Sequence, residues 1–229
     1  MTSVIIIAVP ARLTICLAIA LTACGRHQNS EAPAHQPAAS PAATKAPDTR
    51  KIIVAFGDSI SAGFGVEPGK SFPDDLQRLI DQAGYKYQVV NLGVSGDTTT
   101  DGVERLPVVL ALHPAIVVVE FGGNDGLRGL PVTASKANLA TIIQAILKSG
   151  AKVVLAGMTL PRNYGPEYIH PFEQMYVDLA KEYKVTLIPF VLEGVGGNAA
   201  LTQPDGIHPT AEGAAIVAQT VMRYTKPLL

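Results

Sequence analysis

The sequence predicts a three-layer α/β/α sandwich on a five-stranded, mostly parallel sheet. Two observations carry that expectation. From residue 51 onward short apolar runs alternate strictly with helix-length segments, the pattern of consecutive βα units. The apolar runs are nearly continuous, as strands covered on both faces must be. Composition agrees, since 48% hydrophobic residues with only 6% aromatic and no Trp suit a compact aliphatic core.

The first strand is expected over residues 52–56, an Ile-Ile-Val-Ala-Phe run that passes directly into Gly57-Asp58-Ser59-Ile60-Ser61. A helix over 72–83, a strand over 88–92 and a helix over 100–112 follow. Pro107 lies inside that helix and has no N–H to donate, so the helix is expected to start later or to kink there. Next come a strand over 116–121, a helix over 133–149, a strand over 153–156, a helix over 167–183, a strand over 186–190 and a helix over 210–224. In such sheets ligands meet the loops at the carboxyl ends of the strands. Gly57-Asp58-Ser59, Gly96, Asn124 and residues 158–164 all fall there.

The chain of 229 residues suffices for one sizeable domain, expected over 51–229, with a surplus at the N-terminus. Residues 1–23 read as an export signal: 13–23 are apolar over the length of a secretory h-region, follow Arg12 and end in small residues. The alternative is an uncleaved anchor, but a span needs about 20 apolar residues and Pro10 and Arg12 interrupt the longer stretch. Residues 24–50 are rich in Ala, Pro, Gln, Ser and Thr, too poor in large apolar side chains to order themselves, and form a tether in which His27 and His35 are solvated. Leu21-Thr22-Ala23-Cys24 resembles the bacterial lipoprotein box. That resemblance implies lipidation of Cys24, a membrane tether in the periplasm and, because Gly25 stands where an Asp would retain the protein at the inner membrane, attachment to the outer membrane. A translation start near Val9 would leave a signal of the usual form.

A net charge of −1 without any long basic run gives nucleic acid no footprint, so the expected partner is a small molecule and the expected state a monomer. Both cysteines, Cys16 and Cys24, precede the domain, which excludes a disulfide framework or a thiolate metal site within it. No His-Glu-x-x-His is present and the three histidines of the domain are far apart in sequence. No metal and no cofactor are expected.

Ser59 stands at a strand-to-helix turn, where a sharp bend lifts a hydroxyl above the sheet edge. A Gly-Asp-Ser turn alone is often only a turn, and the Gly-x-Ser-x-Gly elbow is absent because Ser61 takes the second glycine position. A serine needs a base, and the base a partner that orients it. His113 closes a helix before Pro114 and His170 precedes Pro171 at a helix start; both have adequate structural explanations. His208 has a carboxylate three positions earlier, and Pro209 keeps it out of the α region. Asp205-Gly206-Ile207-His208 is therefore a turn able to fold the carboxylate back onto Nδ1 and leave Nε2 for Ser59. Asp58 shapes the turn and has no chemical step. Donors for an oxyanion are available at the Ser59 N–H, the Gly96 N–H and the Asn124 amide, although loop glycines and asparagines are also ordinary turn residues.

Gly57-Asp58-Ser59, Gly96 in Val94-Ser95-Gly96-Asp97-Thr98, Asn124 in Gly122-Gly123-Asn124-Asp125 and Asp205-Gly206-Ile207-His208 resemble, in order, the four blocks of the SGNH (GDSL) hydrolases. The resemblance spans nearly all of 51–229 and implies a flavodoxin-like sheet, catalysis by Ser59, Asp205 and His208, and an oxyanion hole of Ser59, Gly96 and Asn124. Residues 120–129 and 160–165 are similar to the subgroup of periplasmic thioesterases, lysophospholipases and arylesterases. That similarity implies acyl esters and thioesters as substrates. It also points to residues 126–131, where glycines flank apolar residues, as a lip over an acyl groove with Leu127, Leu130 and Pro161 in contact with substrate; the other reading is an ordinary strand-to-helix connection. An acyltransferase or deacylase acting on envelope polysaccharide would use the same site on another acceptor, and a tethered binding module would carry it vestigially.

Overall fold

The computed structural model describes residues 48–229. The expected signal, Cys24 and most of the tether lie outside the described residues. Five strands form the sheet: β1 (Lys51–Gly57), β2 (Tyr87–Asn91), β3 (Ile116–Glu120), β4 (Lys152–Ala156) and β5 (Thr186–Ile188). Every pairing is parallel and the spatial order is β2-β1-β3-β4-β5. β3, at the centre, is buried at all five positions, which explains its unbroken hydrophobic stretch up to Glu120.

The helices are α1 (Ser59–Ala62), α2 (Phe72–Gln82), α3 (Thr99–Ala111), α4 (Gly123–Leu127), α5 (Val132–Lys148), α6 (Pro166–Tyr183) and α7 (Ala211–Thr225). From β1 the chain steps one way to β2, then reverses to β3, β4 and β5. Right-handed crossovers in opposite directions put their helices on opposite faces. The packing follows: α2 lies against α7, while α3 packs on α5 and α5 on α6. The reversal leaves a crevice at the carboxyl ends of β1 and β3, the usual ligand position in this topology.

The local signals for the longer helices are strong. Ser71 and Thr98 each form a capping box, with Asp74 and Asp101 respectively, and Thr210 caps α7 by accepting from the Gly213 N–H. Three details depart from expectation. α3 does not start late but runs from Thr99 through Pro107 to Ala111, with the proline on the exposed side of the helix. β5 stops at Ile188 rather than 190, because Pro189 has no N–H for a ladder. Residues 123–127, expected as loop, form the short helix α4.

Candidate active site

The carboxyl end of β1 delivers Ser59 into the crevice. Asp58 is the N-cap of α1, accepting from the Ile60 N–H at 3.1 Å, and Ser59 opens that helix. β1 and β3 are in register so that Gly57 lies opposite Glu120, and a Cβ at Gly57 would collide with the Glu120 carboxylate. One oxygen of that carboxylate, Oε2, accepts from the Asp58 N–H (3.3 Å), the Ser61 N–H (3.1 Å) and the Ser61 hydroxyl (2.7 Å). The turn that holds Ser59 is thus tied from beneath by a fully buried acid.

His208 reaches the same point from the other end of the chain. Asp205 Oδ1 accepts the N–H groups of Ile207 (2.9 Å) and His208 (3.0 Å), closing a tight turn, and Oδ2 lies 2.7 Å from His208 Nδ1. Nε2 lies 2.9 Å from Ser59 Oγ. A carboxylate only accepts, so Nδ1 carries the proton and Nε2 presents its lone pair to the serine hydroxyl. Burial alone would raise the Asp205 carboxyl, but hydrogen bonds from the His208 ring and from two backbone N–H groups bring it down to about 2. The loop is pinned by a Thr202–Pro209 bridge and by Gln203, whose side-chain amide donates to the Phe64 carbonyl (2.7 Å) and the Pro209 carbonyl (2.9 Å).

Asn124 lines the same cleft as Ser59, whereas Gly96 is not on its wall. Gly96 has φ +90°, and its N–H finds no acceptor among the described residues. Its carbonyl accepts from Arg128 at 2.8 Å. Asn124, in the first turn of α4, donates from Nδ2 to the Asp97 carbonyl (2.9 Å) and to Asp58 Oδ2 (3.1 Å). Asp125 beside it clamps α4 to α3 and α5, accepting from the Thr99 N–H and hydroxyl and from the Ser135 hydroxyl.

Two acids lie behind the nucleophile. Burial raises the Asp58 carboxyl to about 6, against the Ile60 N–H that holds it down. Burial and the neighbouring Asp58 push Glu120 well above the usual carboxyl range, and its Oε1 has no hydrogen-bond partner among the described residues. Burial thus favours the neutral form of Glu120, whose carboxyl group serves as a scaffold for the turn. Arg105 performs a related task from α3, donating to the carbonyls of Leu92 (2.8 Å) and Gly57 (3.1 Å). Its guanidinium sits 4.9 Å from the Phe56 ring centroid, and Nη2 lies 2.6 Å from Asp97 Oδ2, an ion pair outside hydrogen-bond angles. Sequence reasoning passed over both residues. A lone Glu closing an apolar strand was the available signal for Glu120; Arg105 on an amphipathic helix gave none.

A cleft of about 900 Å³ opens from Ser59, walled by Leu127, Met158, Leu160, Pro161, Ile169 and Phe190 among others. Leu127 and Pro161 therefore stand where a substrate contact was expected, whereas Leu130 is not on the cleft wall. Its backbone is turned into the fold, with its N–H on the Asp125 carbonyl and its carbonyl held by the Tyr168 hydroxyl at 2.6 Å. His170, set aside in the sequence as structural, does line the cleft, while His113 follows the α3 C-cap Leu112 with φ +47°. Among the described residues no group of three His, Cys, Asp or Glu side chains is placed to hold a metal ion.

An imidazole bridging a serine hydroxyl and a carboxylate at the carboxyl edge of a 2-1-3-4-5 parallel sheet defines a class, the hydrolases of carboxylic esters built on a flavodoxin-like α/β frame. Comparison with known proteins gives the family: residues 55–216 match the model of the GDSL-like lipase/acylhydrolase family, and the chain belongs to it. It is 45% identical over 180 residues to the esterase TesA of Pseudomonas aeruginosa, covering 78% of this chain and 90% of the relative. Identity to the thioesterase 1/protease 1/lysophospholipase L1 of Escherichia coli K12 is 38% over 178 residues, covering 77% and 84%. A crystal structure of TesA superposes with a TM-score of 0.75 at 45% identity, covering 79% of this chain and all of the other.

Proposed function

We propose that the protein is a serine esterase and thioesterase that works through an acyl-enzyme on Ser59, and that the observation carrying this is the placement of His208, 2.9 Å from Ser59 Oγ and 2.7 Å from Asp205. His208 Nε2 takes the serine proton as Oγ attacks the acyl carbon, and Asp205 holds the ring and offsets the charge it acquires. The oxyanion is received by the N–H groups of Ser59 and Gly96 and by the Asn124 amide, which turns one hydrogen away from Asp58, the longer of its two bonds. His208 then protonates the leaving group, and water repeats the sequence to release the acid. The acyl chain lies in the apolar cleft past Leu127 and Pro161. Acyl esters, thioesters and lysophospholipids of short to medium chain are the substrates this reading assigns. The export signal and the Cys24 box support a periplasmic, lipid-tethered enzyme.

The test is a panel of p-nitrophenyl esters, acyl thioesters and lysophospholipids, with the parent chain and Ser59→Ala, together with labelling by a serine-directed phosphonate. Hydrolysis and labelling that both vanish in Ser59→Ala are expected. Hydrolysis that survives the substitution would overturn the assignment. Sugar acceptors added to the same assays would reveal transfer as an acylated product, and a membrane-released Cys24→Ser variant is the expected result for the tether.

A further inference from the structure

The substrate's acyl half has a cleft, and its leaving group has none assigned. Four bonds radiate from the carbon of the tetrahedral intermediate. One goes to Ser59 Oγ, one to the oxyanion, and one carries the acyl chain into the cleft. The fourth, to the leaving group, must point toward His208 Nε2, which supplies its proton. One side of His208 borders the cleft, together with its neighbours Gly206 and Ile207. Against the ring of His208 stands Phe64, centroids 4.6 Å apart and planes inclined by 44°. Phe64 is not part of the cleft wall. Its side chain is 50% exposed, and of the large apolar side chains left exposed among the described residues it is the aromatic one.

An exposed aromatic ring is costly to hold in one place unless its backbone is fixed. Here it is fixed twice. The Phe64 N–H donates to the Ser59 carbonyl at 3.0 Å, and the Phe64 carbonyl accepts from Gln203 at 2.7 Å. The ring is thereby tied to the nucleophile's helix on one side and to the histidine loop on the other, with half its surface open to solvent beside the imidazole.

We propose that Phe64 is the leaving-group platform, a specificity-determining residue that favours aromatic and other flat apolar leaving groups by stacking. This rests on the acyl-enzyme reading above. During acylation the Oγ–C bond forms and the C–O bond to the leaving group breaks. The proton that Nε2 took from Ser59 passes to the departing oxygen, which leaves as a phenol from against the Phe64 ring. Deacylation, in which water replaces the leaving group, makes no use of the platform.

The experiment uses the full chain with phenyl, 2-naphthyl and 2,2,2-trifluoroethyl butyrates, which share one acyl group, and compares the parent with Phe64→Ala, Phe64→Leu and Phe64→Tyr. Phe64→Ala and Phe64→Leu should lower kcat/KM for the two aryl esters by roughly 3- to 10-fold more than for the trifluoroethyl ester, the fold-change that one aromatic contact is worth. Phe64→Tyr should restore it. Single-turnover decay of the butyryl-enzyme should change by less than about twofold, because discrimination resides in the step in which the leaving group is present. A loss of equal size for all three esters, accompanied by slower deacylation, would show that Phe64 merely positions His208 and would overturn the proposal. Unchanged kcat/KM would overturn it as well. A parent chain that forms no acyl-enzyme with any ester would refute the esterase reading itself, and this inference with it.

Discussion

If Ser59 and His208 share one proton, as proposed, their removal cannot be independent. On the proposed mechanism Ser59→Ala and His208→Ala should each lower kcat by about 10⁴-fold or more, and the double variant should be scarcely worse than either. Additive losses, measured with one p-nitrophenyl ester, would show that the two do not share a step. Asn124→Ala should cost roughly 10²–10³ in kcat with little change in KM, because its amide meets a charge that develops at the transition state; a change confined to KM would make it a substrate-binding residue instead. Ser59 and Asn124 were legible in the sequence as polar motifs that follow apolar runs, and His208 from the carboxylate three positions earlier and the proline after it. Glu120, Arg105 and Phe64 were not. Glu120 reads as one residue within an expected strand, and only the Gly57–Glu120 register brings it beneath the turn. Phe64 reads as one more apolar residue among glycines, and its meaning comes from a loop 139 residues away.

At the scale of elements, the expected strands and long helices match the observed ones within a few residues, because burial on both faces of a parallel sheet writes itself into composition. The short pieces were not legible. α4 is five residues long, too short for periodicity, and its N-cap, Gly122, offers no side chain to cap it. Helix packing gives a test in which two effects oppose each other. Gly102 sits on α3 where an added Cβ would lie 3.0 Å from Ile142 Cδ1 and 3.1 Å from the Phe121 ring. Alanine is the better helix former by about 1 kcal/mol, but overfilling a tight core costs about 1–3 kcal/mol. Because the Phe121 ring also packs edge-on against Phe56 at 4.7 Å, it has little room to yield. Gly102→Ala should therefore destabilise the protein, by up to about 2 kcal/mol in urea unfolding. A stabilised variant would show that α3 can shift on α5.

For the molecule as a whole, buried and exposed acids pull stability in opposite directions with pH. Asp205, brought down from 3.8 to about 2, and Asp101 and Asp178, also lowered by their hydrogen bonds, favour the folded state at pH above their unfolded values. That contribution is lost as pH falls through the folded values. Asp58, raised from 3.8 to about 6, and Glu120, raised further, bind more protons folded than unfolded, so their contribution is lost as pH rises through the folded values. The urea midpoint should be highest in the weakly acid range and decline toward pH 8, and Glu120→Gln should flatten that decline. A parent midpoint that climbs steadily from pH 5 to 8 would mean that Glu120 is ionised in the fold. The spacing of the site along the chain has one last consequence. Asp205 and His208 meet across three residues, but His208 and Ser59 meet across 149. On the proposed mechanism, a growing polypeptide that has completed β1 to β5 already contains Ser59, Gly96, Asn124 and much of the cleft, but not His208, the base. The nucleophile is thus made long before its base, and on that mechanism the site stays incomplete until the segment that carries His208 has been made.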